Sequence, residues 1–111
     1  MIEVKKPWGR ELIWAHTDRY AGKFLYITNG CRLSRQFHNK KQETICVVSG
    51  QLRLEIGEEP VNVQTLEVGQ KFDITPGMIH RFCANKGDVV LVEVSTPELD
   101  DIVRLEDDYE R

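Results

Sequence analysis

Side-chain alternation is the feature of this 111-residue chain that most restricts its fold. Short runs place apolar or β-branched residues at every second position, and Gly, Asn and Pro fall between them. Successive side chains of an extended backbone point to opposite faces, so each run reads as a strand with one face for a core. The runs are residues 10–15 (RELIWA), 23–28 (KFLYIT), 33–38, 44–48, 52–56, 61–68, 71–75, 79–84 and 89–95 (VVLVEVS). Strands recurring about every ten residues, with turn residues between them, predict an antiparallel sandwich or barrel. Only the end departs. Thr96–Pro97–Glu98 reads as a capped helix start, with Leu99, Ile102, Val103 and Leu105 packing one or two turns onto the barrel. The expected organisation is one all-β domain: an N-terminal arm (1–9), a barrel (10–96) and an acidic C-terminal segment (97–111) with a short helix.

Composition narrows the function classes. A 41% apolar fraction supports a single core, and 30% charged residues argue against membrane and disordered classes. No apolar run approaches the ~20 residues that span a bilayer. The opening MIEVKKPWGRE lacks the apolar segment of a signal peptide, so a cytoplasmic location is expected. Cys31, Cys46 and Cys83 are odd in number and widely spaced, a poor basis for disulfides or a zinc ribbon. The net charge is −3, and Glu98, Asp100, Asp101, Glu106, Asp107, Asp108 and Glu110 crowd the end of the chain. The remaining body is slightly basic. That excess is too small for a nucleic-acid partner, but it leaves room for a local anion site.

The chemistry concentrates in two places. In the segment GCRLSRQFHNKKQETICVVSG (30–50), Gln36, His38 and Lys40 are two apart, and Glu43 follows at the start of the next run. Strand periodicity puts 36, 38 and 40 on one face. Pro76–Gly77 then makes a tight turn ahead of His80, which can aim that imidazole at His38 from across a barrel. Gln36, His38, Glu43 and His80 supply two nitrogens and two oxygens, a set suited to Zn²⁺, Mn²⁺, Fe²⁺, Co²⁺ or Ni²⁺. Clustered His and Glu residues favour ligation over a pair of hydrogen-bonded strand histidines. Gln36 stands equally as a ligand or as an orienting neighbour of His38.

These two stretches resemble the cupin motifs: glycine, HxH, glutamate and glycine over residues 30–50, then Pro, Gly, His and Asn over 69–85. Lys40 stands where the second histidine of HxH is usual. A narrower resemblance covers nearly the whole chain. Lys6–Pro7–Trp8–Gly9–Arg10–Glu11, Leu33–Ser34, Gln36–Phe37–His38 and the run from Asp100 to Asp107 (DDIVRLED) are similar to the cupin domain of type II mannose-6-phosphate isomerases. The resemblance implies a single-domain cupin, a double-stranded β-helix or jelly-roll barrel. It also implies one divalent metal ion and aldose–ketose isomerisation of a sugar phosphate. Type I mannose isomerases bind zinc through Gln, two His and Glu, a set retained here as Gln36, His38, Glu43 and His80. The resemblance further implies that Lys23 matches a lysine of the isomerases.

Several roles stay open at this level. Lys40 reads as an ion-pair partner of Glu43, as an acid–base or phosphate-binding group, or as a solvated loop residue. Glu55 and a metal-bound water are further candidate bases, and Arg81 is also a candidate catalytic residue. Arg81, Lys23 and Arg10 are candidates for holding a phosphate, and Arg81 also reads as an inter-strand ion pair. Trp8, Trp14 and Phe72 read as core or dimer contacts. A non-catalytic sugar-binding or structural cupin, and a metal-independent sugar-nucleotide isomerase or epimerase, are the competing functions. Unpaired sheet edges point to a homodimer.

Overall fold

A computed structural model of the chain describes residues 1–109; Glu110 and Arg111, counted above with the acidic tail, lie outside the described residues. Eleven strands form two antiparallel sheets, and no helix occurs among the described residues. In chain order they are β1 (Ile2–Lys6), β2 (Gly9–His16), β3 (Ala21–Ile27), β4 (Arg35–Phe37), β5 (Glu43–Ser49) and β6 (Leu52–Ile56). These are followed by β7 (Asn62–Leu66), β8 (Lys71–Ile74), β9 (His80–Cys83), β10 (Val89–Ser95) and β11 (Val103–Glu106). One sheet runs β1-β2-β3-β10-β5-β8 and the other β11-β4-β9-β6-β7. Each of the nine alternating runs contains one strand.

The two ends of the chain differ from expectation. The arm contributes a strand: β1 pairs with β2 from Ile2↔Ile13 to Lys6↔Gly9, and Trp8 lies in the core. The expected C-terminal helix is absent. Thr96 uses its hydroxyl to accept from the Gln42 amide at 3.0 Å, so it caps no helix. The 97–102 stretch instead makes short turn bonds, Leu99 N to Pro97 O (2.8 Å) and Ile102 N to Asp100 O (3.0 Å), before β11 pairs with β4. A nucleus of one or two turns is weak on its own, and pairing with another strand outcompetes it.

The interior is divided along its length. Ile27, Leu25 and Lys23 follow one another on the inner face of β3; Val89, Leu91 and Glu93 do so on β10; Val47, Ile45 and Glu43 do so on β5. The apolar members join Leu52, Leu54, Phe82 and Leu33 in one core. At the other end each row finishes in a buried charge, and β9 adds His80 there. That end holds the cavity described below.

Gly50 closes the first motif with φ +82°, and a Cβ there would sit 2.2 Å from the backbone oxygen of Asp88. Gly30, at φ +84°, has open space around it. Gly30→Ala should therefore cost about 1–3 kcal/mol of backbone strain. Gly50→Ala should cost more, because Asp88 must also move. Urea unfolding checks the order: the Gly50→Ala midpoint should lie below that of Gly30→Ala, and equal midpoints would contradict it.

Candidate functional site

His38 immediately follows β4, and His80 opens β9 across from Gln36. The turn at Pro76–Gly77 is tied to this point: Gly77, at φ +83°, donates its N–H to the His38 carbonyl at 2.8 Å. The two imidazoles approach to 5.1 Å between ring centroids. His38 Nδ1 donates to the Asp101 carbonyl (2.6 Å) and His80 Nδ1 to the Met78 carbonyl (2.9 Å). With both Nδ1 atoms tied to carbonyls, the two rings turn their Nε2 atoms toward Glu43.

Glu43 meets them. Its Oε1 lies 3.7 Å from His38 Nε2 and 3.5 Å from His80 Nε2. Its Oε2 faces the Lys41 ammonium at 2.9 Å. Lys41 Nζ also reaches Glu93 Oε2 at 3.1 Å; Lys23 Nζ lies 3.9 Å from the same oxygen and 3.3 Å from Glu11 Oε1. A chain of alternating charges thus runs from Glu11 to the histidines, and Lys23, Lys41, Glu43 and Glu93 are all buried.

Burial would raise the Glu43 carboxyl, but His38, Lys41 and His80 hold it well below the usual carboxylate range. Burial would lower Lys41, yet Glu93 and Glu43 hold it above the ordinary lysine value. Burial and the nearby Glu43 charge push Glu93 the other way, up to about 7, against Lys41 and Lys23. Burial lowers His80 despite Glu43 and the Met78 carbonyl, which keeps its ring neutral.

The donor set fits a divalent ion. Ligand atoms of His38, Glu43 and His80 all lie within 4.8 Å of one another. Neighbouring tetrahedral ligands at about 2.1 Å from an ion stand roughly 3.4 Å apart, close to the distances from Glu43 Oε1 to the two rings. His38 Nε2 is buried with no hydrogen-bond partner among the described residues, as a vacant donor would be. Lys41 does not compete for it, since it takes the other oxygen of Glu43. Gln36 also borders the cavity, with its amide nitrogen donating to Ser34 O (3.3 Å) and Ser34 Oγ (3.2 Å).

The cavity has a volume of about 410 Å³ and lies between the sheets. It takes in Gln36, His38, Glu43, His80 and Lys23 from the sequence reading. It does not take in Lys40, whose side chain is exposed because β4 ends at Phe37 and the chain turns at Asn39–Lys40. The period-two placement of 40 with 36 and 38 fails there, and Lys41 enters instead. Arg10 points outward over the Tyr26 ring at 3.8 Å. Glu55 and Arg81 lie on the far face of their sheet. Glu55 pairs there with Arg35 (2.8 Å) and Arg53 (3.1 Å), and Arg81 donates to the Leu33 carbonyl (2.7 Å) and pairs with Asp108 (3.3 Å). In the acidic segment, Glu106 pairs with Arg35 and Arg81, and Asp108 pairs with Arg32 and Arg81.

Sequence reasoning missed Lys41, Glu93, Glu11, Lys6, Arg104 and Asp101. The Asp101 carboxylate accepts the backbone N–H groups of Asn39 (3.0 Å), Lys40 (2.6 Å) and Lys41 (2.9 Å), while its carbonyl holds His38. One residue from the C-terminal segment thereby fixes the loop that delivers both His38 and Lys41.

Comparison with known proteins places this geometry. Residues 1–107 match the family described as mannose-6-phosphate isomerase C-terminal. The xanthan biosynthesis protein XanB of Xanthomonas campestris pv. campestris is 35% identical, over 98% of this chain and 24% of its own length. The mannose-1-phosphate guanylyltransferase ManC of Salmonella typhimurium is 35% identical, over 98% of this chain and 23% of its own. The alginate biosynthesis protein AlgA of Pseudomonas aeruginosa is 33% identical, again over 98% and 23%. The chain thus spans about a quarter of the length of these curated relatives. Among solved structures, KdgF from Halomonas sp. superposes with a TM-score of 0.79 at 19% identity, covering 90% of this chain and 91% of that one. Bacillus subtilis oxalate decarboxylase, a protein with Mn(II) centres, gives 0.80 at 15% identity over 95% of this chain and 30% of its own. The fold is that of the cupins, a double-stranded β-helix.

Hydrogen bonds from the three backbone amides, those of Lys40, Lys41 and Asn39, lower Asp101 from its ordinary 3.8 to about 2. A depressed carboxyl stabilises the fold above its unfolded value and loses that contribution as pH falls through the folded one. The urea midpoint should therefore drop between about pH 3.8 and about pH 2, and less steeply in Asp101→Asn. Parallel pH profiles would refute the clamp.

Proposed function

This chain belongs to the mannose-6-phosphate isomerase C-terminal family, and on that premise we propose that it is a metal-dependent aldose–ketose isomerase acting on a sugar phosphate. One observation carries the reading: His38, Glu43 and His80 converge at the end of a cavity large enough for a small polar ligand. A divalent ion held by these three residues, with Gln36 beside them, would act as a Lewis acid toward the carbonyl and hydroxyl oxygens at C1 and C2. Oxalate decarboxylase, which shares the fold, has Mn(II) centres.

The chain's own groups account for the rest of the chemistry. Isomerisation needs a proton to leave C2 and one to arrive at C1. Glu93 borders the cavity, and burial with the Glu43 charge pushes its carboxyl up to about 7, the range that suits a general base. It takes this role in place of Lys40 and Glu55, which lie outside the cavity lining. Lys41 stays charged between Glu43 and Glu93 and steadies both carboxylates. Gln36 and Ser34 present polar atoms to sugar hydroxyls along the β4 wall. The reading includes a homodimer formed through open sheet edges such as β1 or β8.

A second reading draws on Lys41 itself. An ammonium 2.9 Å from Glu43 is a built-in cation at the site, which suits a cupin that binds sugars without turnover, or one that isomerises or epimerises sugar nucleotides without metal. Mannose 6-phosphate to fructose 6-phosphate conversion separates the readings. The first expects turnover that a chelator abolishes and a divalent ion restores, with Glu93→Gln lowering kcat by about 10²–10⁴. Activity that survives chelation favours the metal-free reading, and no turnover with any added divalent ion sinks the isomerase.

A further inference from the structure

We infer that Lys6 and Arg104 form the anion subsite of this cavity, taking the phosphate of the sugar phosphate; the inference rests on the substrate class proposed above. Among the described residues, four lysine and arginine side chains border the cavity: Lys6, Lys23, Lys41 and Arg104. Two of them are already neutralised. Lys23 is paired with Glu11 and Glu93, and Lys41 with Glu43 and Glu93. Lys6 and Arg104 have no ion-pair or hydrogen-bond partner for their side chains among the described residues. They are the cations with charge to spare for a ligand.

On β1, Val4 and Lys6 share the face that borders the cavity, while Glu3 and Lys5 take the outer face. On β11, Arg104 pairs with Gln36 in register and borders the cavity with it, while Leu105 is exposed. Arg104 borders the cavity from an exposed position, where a solvent-borne anion can reach it.

The two residues come from the two ends of the chain, β1 and β11, and border the same cavity as the histidines. A guanidinium donates to two phosphate oxygens at once, and a lysine adds a point charge. A substrate with polar oxygens at one end and a dianion at the other would lie across this space. Asp100 also borders the cavity, and it is exposed there. It works against any anion, so the two cations together are needed to outweigh it. The assignment replaces Arg10 and Arg81, which face away from the cavity, and moves the phosphate off Lys23, which is paired.

The test is calorimetric titration of the chelator-treated protein with mannose 6-phosphate, mannose and inorganic phosphate. It is run on wild type, Lys6→Ala, Arg104→Gln, Arg104→Lys and Arg10→Gln. Wild type should bind mannose 6-phosphate at least tenfold more tightly than mannose, with the advantage shrinking as salt is added. Lys6→Ala and Arg104→Gln should each lose most of that advantage, Arg104→Lys should recover part of it, and Arg10→Gln should keep it. Circular dichroism and the urea midpoint confirm folding of each variant. Unchanged phosphate binding in both Lys6→Ala and Arg104→Gln overturns the subsite, as does no preference for mannose 6-phosphate in wild type. If turnover is absent but these binding changes appear, the subsite stands and the isomerase reading fails. If turnover is present with KM for mannose 6-phosphate unmoved in both variants, the reading stands and the subsite fails.

Discussion

Glu43 is the group on which the site depends. One of its oxygens faces two imidazoles and the other faces Lys41. A carboxylate buried this deeply would protonate or destabilise the fold without such neighbours. Removing one partner of a buried pair costs about 3–5 kcal/mol because the other charge is left stranded. The histidines, Lys41 and Glu93 therefore hold one another in place, and the outward-facing anchors at Asp101 and Met78 fix the rings that face Glu43. The polar end of the barrel is a preorganised charge array whose positions are set before any ligand arrives.

The same sheet carries a second charge layer on its opposite face. Arg32, Arg35, Arg53 and Arg81 meet Glu55, Glu106 and Asp108 there, under the C-terminal segment. Cys83 lies in this layer, where burial and Glu55 push its thiol up to about 11. A thiol held so high stays protonated at neutral pH. Alternation along β6 and β9 is what separates the two roles: His80 and Phe82 face the cavity and core, while Arg81 and Cys83 face the tail. The functional and structural ionisable residues are therefore one position apart in sequence.

Much of this was legible in the sequence. Nine alternating runs each contained a strand, and the two histidines with Glu43 could be placed together because motif glycines and a tight turn bracket them. Lys23 and Glu93 each interrupt an inward row of apolar residues, AGKFLYI and VVLVEVS, and that interruption marks a buried charge. Lys41 was missed for a specific reason. Period two counted forward from Gln36 crosses a turn and lands on Lys40, whereas counted back from Val47, Ile45 and Glu43 it lands on Lys41. The missing helix had no such local signal. Asp101 and Thr96 bond to the 39–42 loop some sixty residues away, and only the folded chain brings those partners together.

The central claim is that His38, Glu43 and His80 hold one divalent ion. Cobalt titration followed by visible absorption tests it directly, because Co²⁺ bound by nitrogen and oxygen ligands gives d–d bands that aqueous Co²⁺ does not. The account predicts saturation at one Co²⁺ per chain, with the bands lost in His80→Ala while circular dichroism is unchanged. No saturable Co²⁺ signal in the wild-type protein, or an equal signal in folded His80→Ala, would contradict it.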